Sequence, residues 1–177
     1  LGGLWVLTDQ ALMHAELDET GESVRRWTTH IEHELPIDNF SNKPSLQTAQ
    51  SGDGIIWVAA ANLLGAYRPN QGTFQQFAHD PLNPQSPPPT AGWTGYDLFA
   101  DRFGVVWIGA KLGGVARYVP QRHRFEHFRD ISQPSYVVRG VAEQRVDNKR
   151  FVWVGLDDRG LQLFQNHVEH GMTPVSP

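Results

Sequence analysis

The chain has 177 residues, room for one core of ordinary size and too little for two. Its 15 Lys plus Arg against 19 Asp plus Glu give a net charge of −4, the opposite of a nucleic-acid binder's basic face. With no Cys, disulfides, thiol nucleophiles and Cys-ligated zinc are excluded, while 17 Gly and 12 Pro mark a turn-rich chain.

In chain order, the first element is the apolar run Gly3-Leu4-Trp5-Val6, and the same kind of run recurs as Ile55-Ile56-Trp57-Val58, Val105-Val106-Trp107-Ile108 and Phe151-Val152-Trp153-Val154. The tryptophans lie 52, 50 and 46 residues apart, a period that identifies a repeat protein. About seven residues after each Trp a second strand is predicted: Leu12 to Ala15, Leu64 to Tyr67, Gly114 to Tyr118 and Gly160 to Phe164. A third follows a polar turn and carries paired bulky residues, Val24 and Trp27, Phe74 and Phe77, Phe125 and Phe128. A further strand precedes the last three Trp runs, at Leu46 to Ala49, Tyr96 to Ala100 and Val137 to Val141. It enters the run through a turn signalled by Asp53-Gly54, by Asp101 with Gly104, and more loosely by Asp147-Asn148.

Four strands in roughly fifty residues is one β-propeller blade, so the sequence predicts an all-β segment of about four four-stranded blades over residues 1–177, with no helix. Two connections are long, Thr28 to Pro44 and Ala78 to Trp93, and the prolines of the second (Pro81, Pro84, Pro87, Pro88, Pro89) bar it from a strand interior. No apolar run reaches the ~20 residues of a membrane helix. Leu1 opens the sequence without an initiator Met or a basic leader, which reads as an excised piece of something longer.

The third copy spells Asp101-x-x-Gly104-x-x-Trp107-Ile108-Gly109, then Gly113-Gly114-Val115-x-Arg117-Tyr118. This resembles the two-component regulator propeller repeat, and the match extends in weaker form over nearly the whole chain. The fourth copy keeps Trp153-Val154-Gly155 and Gly160-Leu161; the second keeps Trp57-Val58 and has Ala59 where the third has Gly109. The resemblance implies part of a seven-bladed propeller from the periplasmic sensor region of a bacterial membrane signalling protein, whose output is a histidine kinase, a hybrid kinase or a diguanylate cyclase. It implies a non-enzymatic sensor, with carbohydrate among the family's ligands. A propeller enzyme of lyase or glycosidase type and a pure interaction scaffold are the other readings.

Chemistry-bearing residues are sparse. The four repeated tryptophans read as packing between blades, whereas Trp93 lies outside the pattern. His30-Ile31-Glu32-His33 lacks the spacing of a zinc protease. His123 and His127, if in one strand, stand about 13 Å apart at roughly 3.3 Å per residue, and with Arg122, Arg124 and Arg129 form a basic edge. Asp157-Asp158 reads as a hairpin turn. No catalytic residues, metal or cofactor are predicted. In a propeller, the loops after each Trp strand and the loops between blades gather at one mouth of the central channel. That placement nominates Asp9, Gln10, Asn62, Lys111, Asp158 and Arg159 from the first set, and Trp93 and Tyr136 from the second, for a small molecule, a carbohydrate or a partner. Four blades leave two apolar end faces, which predicts self-association.

Overall fold

Alternating apolar residues between glycine-marked turns give strands with one face toward each neighbouring blade. In a computed structural model they form four antiparallel sheets. The structure describes residues 3–8, 10–32, 46–60, 63–89, 96–101, 104–110, 114–119, 122–128, 137–157, 160–167 and 171–175. Blade I contains β1 (Gly3–Leu7), β2 (Ala11–Leu17) and β3 (Val24–Glu32). Blade II contains β4 (Gln47–Gln50), β5 (Ile56–Ala60), β6 (Leu63–Arg68) and β7 (Thr73–Phe77). Blade III contains β8 (Tyr96–Ala100), β9 (Val106–Ala110), β10 (Gly114–Val119) and β11 (Arg124–Phe128). Blade IV contains β12 (Val138–Val146), β13 (Lys149–Leu156), β14 (Gly160–His167) and β15 (Gly171–Pro174).

Strand order within each blade follows the chain. Successive blades approach through their first strands, β1 beside β4, β4 beside β8 and β8 beside β12, so these line the inner side of the arc. Every predicted strand overlaps an observed one, and those predicted to start at Leu46, Ile55, Val105 and Val137 begin one residue later. Blade I, however, shows three strands among the described residues, and β3 runs to Glu32, so the connection predicted to start at Thr28 begins later.

The core is divided into three joints. Trp5, Leu7, Leu12 and Ile31 of blade I pack on Ile56, Val58, Leu63 and Tyr67 of blade II. Trp57, Leu64 and Ala66 of blade II pack on Tyr96, Leu98, Val106, Tyr118 and Phe125 of blade III. Trp107 and Val115 of blade III pack on Val138, Val141, Val152, Val154 and Leu156 of blade IV. Trp5, Trp57 and Trp107 therefore each face the following blade. Trp57 is stacked on Phe77 at 5.4 Å and tilted onto Tyr118 at 4.9 Å. Gly109 is required here for space: a Cβ on it would lie 2.5 Å from Val138 Cγ1.

Trp57 and Trp107 are 1% and 0% exposed, as the packing role predicts, but Trp153 belongs to none of the three joints. It is only partly buried, with its indole N–H donating to Gln144 Oε1 at 2.7 Å. The physical reason is position, because the described residues place no blade against its face. Leu161, paired with Gly155 two residues along from Trp153, is 70% exposed. On blade I, Leu4 and Trp27 are exposed.

The turn signal is displaced in one copy. Asp101 N bonds Val105 O at 2.8 Å, its Oδ1 accepts Val105 N at 2.9 Å, and Gly104 closes the turn at φ 81°. In blade II the corresponding place, six residues before the Trp, is held by Ser51, whose N–H bonds Ile55 O at 3.0 Å. Asp53 supports it by accepting Ser51 Oγ at 2.5 Å. In blade IV the turn contracts to a hairpin at Asp147, φ 53°, between two elongated strands. Arg150 from that hairpin reaches Asp101 Oδ2 at 2.6 Å and Glu143 Oε1 at 2.7 Å, tying blade IV to blade III.

Candidate functional site

Strands β4, β8 and β12 begin at the end of the arc where the turns after β1, β5, β9 and β13 and the inter-blade connections lie. This is the predicted mouth. Of the eight residues nominated there, Asp9, Asn62, Trp93, Lys111, Tyr136, Asp158 and Arg159 lie outside the described residues. Gln10 is described: it is exposed in the turn between β1 and β2, with its N–H donating to Thr8 Oγ1 at 3.2 Å.

Among the described residues, this end also carries the first residues of the inner strands. Gln47 pairs with Ala59, Asp97 with Gly109 and Gly140 with Gly155, three equivalent positions two residues along from each Trp. Asp97 is partly buried, and its Oδ2 accepts the backbone N–H of Val141 at 2.8 Å, across the joint between blades III and IV. The bond is open to Val141 because β12 is the edge strand of its sheet, where alternate N–H groups point away from β13; the register is irregular just before it, between Val138 and Gly140. Burial pushes the Asp97 carboxyl above the ordinary carboxylate value, against the opposing pull of the Val141 and Leu98 N–H groups. Beside it, Arg139 grips Asp157 in the turn after β13 through two bonds of 2.9 and 2.8 Å. That bond and charge raise the Arg139 pKa. The mouth thus presents carboxylate, guanidinium and amide groups on neighbouring blades, a set suited to hydrogen-bonding a small polar molecule.

Sequence reasoning missed Asp97 and Arg139 and read Asp157 only as a turn residue. The usable signal was a polar residue directly after an apolar one where each inner strand begins, Leu46-Gln47, Tyr96-Asp97 and Val138-Arg139.

A second concavity lies where the proline-rich connection crosses blade III. Phe125 N bonds Gln85 O at 3.0 Å, His127 Nε2 donates to Ser86 O at 2.7 Å, and the buried Tyr96 hydroxyl donates to Pro88 O at 3.0 Å. Residues 78–89 are thereby strapped over the outer edge strand β11, shielding it from pairing with another chain. His79, whose Nδ1 donates to Pro87 O at 2.8 Å, lines a cavity of about 290 Å³ with Asp80, Ser86, Pro89 and His127.

The histidine and arginine edge is rearranged relative to expectation. His123 stands in the turn before β11, at φ 50°, with its Nδ1 3.4 Å from the Tyr118 hydroxyl, so it does not share a strand with His127. Arg117, Arg122 and Arg124 converge on Glu126 at 2.7, 3.1 and 3.0 Å, which neutralises part of the predicted basic edge, while Arg129 lies outside the described residues. Among the described residues no group of three or more His, Asp or Glu is placed to hold a metal ion, and no helix is long and apolar enough to cross a membrane.

No known family model matches the chain, and no curated protein does. Solved structures do match. The extracellular domain of BT4673 from B. thetaiotaomicron, described as that of a one component system, superposes with a TM-score of 0.59 at 19% identity, over 97% of this chain and 20% of that one. A second structure of that domain, described as belonging to a hybrid two component system, gives 0.58 at the same identity and coverage. The likeness is one of fold, and this chain spans about a fifth of the length of the chains it matches.

Proposed function

We propose that this chain is part of the extracytoplasmic, periplasmic sensor propeller of a bacterial membrane signalling protein, built from two-component regulator propeller repeats and acting by binding rather than by catalysis. The observation that carries the reading is the repetition itself: one blade unit with one kind of tryptophan joint, in a fold shared with the extracellular domain of BT4673. The ligand sits at the channel mouth, against Gln10, Asp97 and Arg139. Because Asp97 bonds blade IV from blade III, a ligand that competes for its carboxylate changes the joint between them. That differential contact is what a sensor needs to bias two arrangements of a propeller and pass the bias onward.

A thermal-shift screen of the purified chain against mono- and oligosaccharides tests the reading. A compound that raises the melting temperature, and loses its effect in Asp97→Asn and Arg139→Gln, supports it. A response untouched by both substitutions places the ligand elsewhere, and conversion of the compound to a product makes the protein an enzyme.

The end faces carry a second part of the proposal. The exposed Leu161 beside Trp153 on blade IV, and Leu4 with Trp27 on blade I, are the two halves of the joint used three times inside the chain, so copies associate head to tail through them. Light scattering of the wild type and of Leu161→Glu tests this: association lost in the variant supports it, and a monomeric wild type at tens of micromolar refutes it.

A further inference from the structure

The joint between blades I and II differs from the other two in chemistry. Where the joint between II and III stacks Trp57 with Phe77, Tyr118 and Phe125, the joint between I and II surrounds Trp5 with two imidazoles and a phenol. Trp5 lies 4.8 Å from His14 and 4.7 Å from His30, centroid to centroid, and 6.0 Å from Tyr67. The imidazoles are 6.2 Å apart, and His30 Nδ1 is 3.1 Å from the Tyr67 hydroxyl.

His30 is placed by a bulge. Leu12 pairs with Ile31 and Met13 with Thr29, which leaves His30 as the extra residue of β3. A bulge re-aims a side chain, and here it adds an imidazole to a face already holding Ile31. His14 lies directly opposite Trp5, and Gly3 makes room for it: a Cβ there would fall 2.0 Å from His14 Nε2.

The groups facing the pair offer little compensation for positive charge. On β1 they are Trp5 and Leu7, and on blade II they are Ile56, Val58, Leu63, Tyr67 and Phe74, with Leu46 ahead of β4. The nearest carboxylate on the same face of β2, Glu16, is bonded to Arg26 at 2.9 Å. Neither imidazole has an acidic partner among the described residues.

We propose that this cluster is a proton-binding site, and that its double protonation releases blade I from blade II. One cation is tolerable, since the Trp5 ring can face it. A second has a like charge one ring away in a partly dehydrated joint, so acid favours the separated blades, where both histidines are hydrated. Burial, then the neighbouring His14, hold His30 below the ordinary histidine value of 6.5. The sign follows: the separated state takes up protons first, so the joint is complete above pH 6.5 and weakens as pH falls below it. The inference stands apart from the ligand reading, because protons and a mouth ligand act on different joints.

Hydrogen exchange of the full chain, followed by mass spectrometry between pH 7.5 and 5.0 and corrected for intrinsic rates, tests it. Protection of residues 3–32 should fall at least tenfold more than that of residues 96–128. In the double variant His14→Gln/His30→Gln the ratio should stay flat. If that variant does not fold, His14→Gln alone decides, since removing one charge should abolish more than half of the logarithmic loss. Parallel loss of protection in blades I and III, or a pH response that survives in the variant, overturns the proposal.

Discussion

Replacing the repeated tryptophans one at a time measures whether each is covered by the following blade. Trp57 is 1% exposed between Phe77 and Tyr118, so Trp57→Ala removes a large ring from a site that cannot collapse. Large-to-small changes of this kind cost about 4 kcal/mol, which for a chain of this size lowers the melting temperature by roughly 8–16 °C. Trp153 is only partly buried, faces no blade among the described residues, and keeps its N–H on an exposed glutamine. Its removal should cost about 2 kcal/mol or less, in proportion to the smaller area lost. The assay is urea unfolding of wild type, Trp57→Ala and Trp153→Ala under one set of conditions, comparing midpoints at equal slope. Equal losses in the two variants would refute the assignment of blade order and of the uncovered face.

Trp107→Phe should cost under about 1 kcal/mol, because the buried Trp107 Nε1 has no acceptor among the described residues and its removal relieves a desolvation penalty that offsets the lost packing; thermal unfolding by circular dichroism checks it. Gly109→Ala should destabilise by about 1–3 kcal/mol through the Val138 clash. By contrast, Gly65→Ala should cost less, since the atom it meets is the far end of the Phe74 ring; paired denaturant curves separate the two. Burial raises the Glu126 pKa, but hydrogen bonds and charge from Arg117 and Arg124 outweigh it and hold the carboxyl below its ordinary 4.5. This contribution is therefore present above pH 4.5 and lost as pH falls further, and Glu126→Gln should flatten the stability profile below that value.

What was legible in the sequence was whatever repeats. The Trp strands, their partners and the Asp-Gly turns each occur several times, so weak local signals reinforce one another, and every predicted strand was found. What was not legible depends on departures from the repeat. Ser51 stands in the place of Asp101 with Asp53 assisting, a substitution invisible until the hydrogen bonds are seen. The bulge at His30 follows from a register that period-two alternation cannot reveal. The strap over β11 depends on backbone bonds between Gln85 and Phe125, groups that carry no sequence signature. Topology brings the turns after the Trp strands and the starts of the inner strands to one end of the arc, as the repeat implied, but Asp97 and Arg139 at that end were not legible, because sequence position alone does not say which side chains a neighbouring blade will orient.

The binding mouth proposed above lies where the inner strands of the arc begin. Nitrogen-15 labelled chain titrated with the compounds that raise its melting temperature gives the most direct test, through the positions of the shifted amide resonances. For a ligand at that mouth the shifts should gather at Gln10, Gln47, Asp97, Arg139 and Asp157. Shifts gathered at the opposite end, around Asp53 and Gln71, or spread without pattern over the blades, would contradict it.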